Sequence, residues 1–294
     1  MNSRVPVLKT YKIFIGGQFP RTESGRYYDL KNKQNKVIAN ICLSSRKDFR
    51  NAVVAARGAF AGWSSKTAFN RSQILYRIAE MLEGRKAQFE EEMILMGYTK
   101  TKAASELNQS IDRLIHYAGW SDKYMQLFSS VNPVASSHFN FSVPEPTGVV
   151  SIIADETTAL LGLISVIAPA IAGGNTVVIL ASEKLPLCAI TFAEVLATSD
   201  LPAGVVNILT GTSEELHAQF SSHMDVNAVV YCRNNKSQEK TIFENAALNV
   251  KRAFNWFKDW SKEENQNPYL ICDLQEIKTT WHPIENIGIG GAKY

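Results

Sequence analysis

The strongest constraint on this chain is an alternation that runs from Val149 to Tyr231. Four short β-rich runs, 149–153, 176–180, 205–209 and 227–231, are separated by helical runs over about 158–172, 186–198 and 212–221. Runs dense in valine, isoleucine and leucine suit strands buried on both faces. Strands that alternate with helices join by right-handed crossovers into a parallel sheet. An α/β fold follows. Ligands on such sheets bind at the carboxyl ends of the strands, so the residues just after these runs are the first candidates for chemistry.

The flanking segments follow other periods. Ile13–Phe19, centred on Gly16-Gly17, reads as a β-hairpin, and Val37–Leu43 reads as a strand. Ser45 is a good N-cap for a helix with Phe49, Val53, Ala56 and Phe60 on one face. Asn70 opens a second predicted helix, carrying Ile74, Leu75, Ile78, Met81 and Leu82. A third carries Phe89, Met93 and Met96, and a long fourth runs from about Lys102 to Phe128. Phe139, Phe141 and Val143 alternate with polar residues in a half-buried strand that ends at Pro144 and Pro146. Beyond Tyr231 the alternation fails. One helix is predicted through about Ser261, then a polar linker, strands at Tyr269–Cys272 and Ile277–Trp281, and a flexible glycine-rich end over 285–294.

Composition narrows the function classes. With 31 basic and 28 acidic residues the 294-residue chain is nearly balanced and shows no basic stripe, which argues against a nucleic-acid partner. Cys42, Cys188, Cys232 and Cys272 are far apart and make no metal-binding or CxxC spacing. The first residues lack a signal-peptide core, and the longest apolar run, Leu160–Ala172, is too short to span a bilayer. The expectation is a cytoplasmic protein with reduced thiols, no membrane partner and no metal.

Each strand end offers a candidate with a plain structural alternative. Asp155-Glu156, after the first strand, could do acid–base work, or Asp155 or Thr157 could cap the next helix. Gly173-Gly174 sits where a helix C-cap is expected. Gly211, between a strand and a helix, could let a phosphate approach the helix start, or could serve only the turn. Cys232, next to Arg233, could be an activated nucleophile or a buried structural thiol. The histidines are scattered, and neither G-x-G-x-x-G nor a P-loop is present.

Several stretches together resemble the NAD(P)-dependent aldehyde dehydrogenase superfamily. They are Gly58–Glu92, His116–Tyr124, Pro144–Ile153, Ala168–Leu187 (APAIAGGNTVVILASEKLPL) and Leu201–Gly211 (LPAGVVNILTG). The resemblance runs from about residue 12 to 231. It implies a Rossmann-like cofactor-binding domain over 1–136 and 147–261, with a helical N-terminal part. It also implies an oligomerisation element made of a β-hairpin over 137–151 and a closing strand within 269–284, where LQEIKTTWHPI resembles the family's final strand. The resemblance fades near residue 250, and the family's catalytic domain, with its cysteine nucleophile, is expected to be absent.

Position by position, the resemblance implies lost chemistry. The family's oxyanion-stabilising asparagine falls at Thr157, and its ribose-binding lysine falls at Leu180. The accompanying glutamate survives as Glu183, and Gly211 is kept. Arg233 falls where the family's Gly-Ser backbone meets the pyrophosphate, and the general-base glutamate has no counterpart. The expectation is a pseudoenzyme with no bound cofactor, NAD or NADP binding surviving at most weakly through Glu183 and Gly211. It would form a homo-oligomer, or a hetero-oligomer with a full-length aldehyde dehydrogenase. The alternatives are aldehyde oxidation at the level of a complex, and a nucleotide-binding sensor.

Overall fold

A computed structural model describes residues 7–284. The glycine-rich end expected to be flexible therefore lies outside the described residues. The elements in chain order are β1 (Thr10–Tyr11), β2 (Tyr27–Lys31), β3 (Val37–Cys42), α1 (Arg46–Ser64), α2 (Ala68–Glu83), α3 (Lys86–Leu95), α4 (Lys100–Trp120), α5 (Tyr124–Phe128), β4 (Ser130–Asn132), β5 (His138–Pro146) and β6 (Val149–Ile153). They continue with α6 (Leu161–Ala172), β7 (Thr176–Leu180), α7 (Leu187–Ala197), β8 (Val206–Leu209), α8 (Ser213–Ser222), β9 (Ala228–Tyr231), α9 (Lys236–Ala247), β10 (Arg252–Asn255), α10 (Tyr269–Cys272) and β11 (Gln275–Pro283).

The expected parallel sheet is present and has five strands in the order β10-β9-β6-β7-β8. Its strands are buried on both faces, as their unbroken apolar runs require. Side-chain alternation sends Val150, Ile152, Val177 and Ile179 into a core shared with α2, α4, α6 and α7. It sends Val149, Ile153, Val178 and Leu180 to the other face, against Phe49 and Val53 of α1, Phe220 of α8 and Ile242 of α9. Each such side chain, fully buried, contributes about 1.5–3 kcal/mol. The start of α1 matches the sequence reading: Ser45 and Asp48 form a reciprocal capping box.

Several expectations need correction. The strand expected to continue to Pro144 and Pro146 does so, but the 137–151 segment is not a hairpin. β5 pairs with β4 on one side and with β11 on the other, whereas 149–153 belongs to the parallel sheet. The change of sheet occurs at Gly148, whose φ of +134° and whose proximity to Asn227 leave no room for a side chain: a Cβ there would lie 2.2 Å from the Asn227 Oδ1. Pro144 and Pro146 lie beyond the end of β4, on the stretch of β5 with one neighbouring strand, where sheets tolerate proline.

The predicted 102–128 helix is two helices. It breaks where the buried Ser121 hydroxyl donates back to the Tyr117 carbonyl and competes with the helical ladder. The second helix starts from Thr67, not Asn70, because Thr67 supplies the cap to the Asn70 amide.

The helix predicted through Ser261 ends at Ala247, and Arg252–Asn255 forms the edge strand of the parallel sheet. The edge of β9 that faces away from β6 decides this. The Arg252 and Trp256 amides donate to Asn227 and Tyr231 carbonyls at 3.2 and 2.8 Å, and the aromatic spacing 254, 256, 257, 260 fits either period. Of the aromatics in this stretch, Trp256 and Trp260 are buried, while Phe257 is exposed. Tyr269–Cys272, predicted as a strand, is a short helix that buries Leu270 and Ile271.

At the amino end, Gly16 and Gly17 take positive φ and make the expected two-residue turn, closed by Ile15 and Gln18. The incoming chain also pairs with the main sheet, Phe14 exchanging two 2.8 Å hydrogen bonds with Ile208 of β8.

Glu92 ties β1 to this assembly. Its Oε1 accepts from the Tyr11 and Thr191 hydroxyls, each at 2.7 Å, while its buried Oε2 has no partner. Burial pushes this carboxyl above its ordinary range, and the two hydroxyl hydrogen bonds offset only part of that. A raised carboxyl pKa favours the protonated form in the folded state, so its penalty is absent at acid pH and grows as pH climbs through the raised value. Glu92→Gln is therefore predicted to gain in melting temperature over the wild type as pH goes from 5 to 8. Parallel melting curves across that range would contradict the assignment.

Candidate functional site at the carboxyl end of the parallel sheet

The chain winds from β6 outward through β7 to β8, then returns to the other side of β6 with β9 and β10. The strand order therefore reverses between β6 and β9, and the crevice at their carboxyl ends is where open α/β sheets bind ligands. In this chain a side chain fills that crevice. Arg233, two residues past β9, donates from Nε to the Ala154 carbonyl at 2.8 Å and from Nη2 to the Ala181 carbonyl at 3.3 Å. Its Nη2 pairs with Glu156 at 2.7 Å, and its Nη1 pairs with Glu183. One guanidinium thus joins the ends of β6, β7 and β9, with only 9% of its side chain exposed.

The two carboxylates are held in turn. Glu156 accepts from the Ser182 hydroxyl at 2.7 Å and from the Glu183 and Lys184 amides at 3.0 and 3.1 Å. Glu183 accepts from the Ser213 amide at 2.7 Å, at the first residue of α8, where the helix dipole favours an anion. Glu183, a candidate ribose ligand from the sequence, is thus turned onto Arg233 and α8.

The other sequence-singled residues divide as follows. Gly211 has φ +152°, and a Cβ there would sit 3.2 Å from the Ser44 amide nitrogen, so its glycine follows from a close crossing of the β3–α1 connection. The neighbouring first amide of α8 is already taken by Glu183. Leu180 is fully buried among the apolar side chains of the sheet and faces no cleft. Thr157 is exposed, but its hydroxyl donates to Asp155 at 2.6 Å. Cys232 is buried, and burial pushes its thiol well above the ordinary value, which Arg233 offsets only in part. That removes the activated nucleophile. Gly173 and Gly174 end α6 as expected, Gly174 with φ +89°.

The cap assigned to Asp155 is displaced. Its carboxylate closes a turn by accepting from the Thr157 and Thr158 amides, both at 3.0 Å, but α6 starts later, at Leu161. The amides at the start of α6 (Ala159, Leu160, Leu161) instead reach Glu106 of α4 at 2.7, 2.8 and 3.3 Å. Sequence reasoning missed Glu106, which looks like any helical glutamate, and it missed the Glu156–Arg233 pairing, whose members are 77 positions apart and meet only through the sheet order.

Two open clefts flank Thr157. One, of about 500 Å³, includes Thr99, Lys102, Ser105, Gln109 and Asp259 in its lining. The other, of about 440 Å³, lies over Arg233 and is bordered by Lys184, Asn235 and Phe257. Among the described residues no cluster of histidine, cysteine, aspartate and glutamate could hold a metal ion, and no helix is long and apolar enough to cross a membrane.

Comparison with known proteins fits this architecture. The aldehyde dehydrogenase family model matches residues 20–254. An aldehyde dehydrogenase of Emericella nidulans is 33% identical over 232 residues, covering 77% of this chain and 46% of that protein. Omega-crystallin of Enteroctopus dofleini is 30% identical over 255 residues, covering 85% of this chain and 51% of that protein. Among solved structures, the NAD+ complex of an aldehyde dehydrogenase from Bacillus cereus superposes with a TM-score of 0.79 at 26% identity, covering 84% of this chain and 50% of that one. The chain spans about half the length of the relatives it matches. The α/β sheet, the strand order and the sequence match agree: this chain belongs to the aldehyde dehydrogenase family.

Proposed function

We propose that this chain is a non-catalytic member of its family that acts through assembly, either with its own copies or with a full-length aldehyde dehydrogenase. One observation carries the reading: Arg233 is buried in the β6/β9 crevice and saturated by Glu156, Glu183 and two carbonyls. A dinucleotide entering that crevice would have to break this network and bury its pyrophosphate beside two carboxylates. Leu180 offers no lysine for a ribose, Glu183 is already engaged, and Thr157 offers no amide to an oxyanion.

Assembly is supported by the three-stranded sheet β11-β5-β4. β11 is nine residues long, mostly exposed, and hydrogen-bonded on one side to β5. Its other edge is a row of backbone donors and acceptors of the kind that pairs with a strand from a partner. A second reading, aldehyde oxidation shared with a catalytic partner, is favoured by the polar cleft beside Thr157, which has room for a small aldehyde.

Calorimetric titration with NAD and NADP is predicted to give no saturable binding. Micromolar affinity, about −8 kcal/mol, would contradict the closed crevice and favour the nucleotide-binding sensor instead. Arg233→Ala is predicted to destabilise the fold by about 3 kcal/mol, because it leaves two mostly buried carboxylates without their cation. Chemical denaturation checks this, and a loss below about 0.5 kcal/mol, the level of an ordinary surface change, would show that the crevice is open to water. Purification from the native cell is expected to yield a complex with a second copy or with a dehydrogenase. A monomer without such a partner contradicts the assembly role.

A further inference from the structure

The tip of the β2–β3 hairpin rests on the turn between α3 and α4. At Gly97, whose φ is +99°, a Cβ would lie between 2.9 and 3.5 Å from Cε, Cδ and Cγ of Lys33, so the lysine stem crosses the bare backbone of that turn. The tip is closed by the Asn32 side chain, which accepts from the Gln34 and Lys36 amides, each at 3.0 Å. This contact gathers two segments that lie far apart in the chain and carry no acid. There is no aspartate or glutamate from Leu30 to Lys47, or from Met93 to Ser105. Lys31, Lys33, Lys36, Lys100 and Lys102 are all exposed, and among the described residues none of them pairs with a carboxylate. Lys100 and Lys102 stand in the first turn of α4, where cations oppose the helix dipole and no acid offsets them. At the same turn the Gly97 amide donates to the Ile94 carbonyl at 2.9 Å, and Ile94 and Leu95 are 45% and 46% exposed.

We propose that this face docks on an anionic lipid bilayer, its ammonium groups against the headgroups and its two exposed aliphatic side chains in the headgroup–acyl boundary. Charge complementarity carries the first half: five unpaired cations meet no acid on their own segments. The residue type narrows the partner. Arginine is suited to fork onto a single carboxylate or phosphate of a folded partner, whereas compact, hydrated ammonium groups suit a diffuse field of headgroups. The apolar pair narrows it further. An acidic peptide or a polyphosphate would engage the lysines and leave Ile94 and Leu95 in water, while a bilayer surface takes both. Attachment of this kind needs no spanning segment, and among the described residues no helix is long and apolar enough to be one. The expectation of no membrane partner rested on the absence of a spanning run. The patch escapes it because it forms only where the hairpin tip meets the α3–α4 turn. The proposal does not depend on the crevice at Arg233.

Co-sedimentation of the full chain with lipid vesicles tests this. The wild type is expected to bind vesicles of phosphatidylcholine mixed with phosphatidylserine and not vesicles of phosphatidylcholine alone. Binding is expected to fall as salt rises from about 0.1 to about 1 M, where the screening length shortens from about 10 to about 3 Å. Lys33→Gln and Lys100→Gln, which keep the length of the stem and remove the charge, are each expected to weaken binding about fivefold, and together about 25-fold. Ile94→Ser combined with Leu95→Ser is expected to weaken it at low and high salt alike, because apolar insertion is not screened. Lys240→Gln combined with Lys262→Gln, two exposed lysines outside the patch, is expected to leave binding unchanged. Failure to bind the phosphatidylserine vesicles overturns the proposal, as does binding that ignores Lys33→Gln and Lys100→Gln or falls equally with the outside pair. Capture of poly-glutamate by a chain that leaves the vesicles in solution also overturns it, and then favours an acidic protein partner.

Discussion

The Arg233 guanidinium is the point on which the functional end of this molecule depends. In an open parallel sheet the crevice between the strands that start the two windings is normally left for a ligand. Here the protein closes it with one of its own side chains. The arrangement needs several conditions together: a strand order that sets β9 beside β6, carbonyls of Ala154 and Ala181 aimed into the crevice, and two carboxylates from different loops. A lone buried arginine would be costly, and two neighbouring carboxylates would repel. Held together, each removes the other's penalty, and further amide and hydroxyl donors satisfy the remaining oxygens.

That closure gives meaning to the mixed pattern of kept and lost positions. Glu183 caps α8 and balances Arg233, and Gly211 combines a φ of +152° with a tight crossing of Ser44. Both residues fit a structural role without any cofactor. Leu180 and Cys232 are equally explained by burial. The architecture of the family is retained where it makes a core, and its crevice is taken over by internal charge pairing.

The sequence made the centre of the fold legible and obscured its margins, for physical reasons. Strands β6 to β9 were readable because both faces are buried, so their apolar runs are unbroken and their ends are marked by glycine, proline or polar residues. β10 was not readable, because Arg252–Asn255 is half-buried at an edge and becomes a strand only through the free carbonyls of β9. The 137–151 segment misled because two strands adjacent in sequence belong to different sheets, a division made at Gly148 by its contact with Asn227. At the site, the importance of Arg233 was visible as a side chain in a place that needs bare backbone. Its partners were not visible, since Glu156 and Glu183 reach it only through the strand order.

The most direct test of the closed crevice is a crystal structure of the chain grown with millimolar NAD+. The account predicts Arg233 between Glu156 and Glu183, bonded to the Ala154 carbonyl, and no dinucleotide at the ends of β6 and β9. A dinucleotide in that crevice, with Arg233 swung out from its two carboxylates, would contradict it.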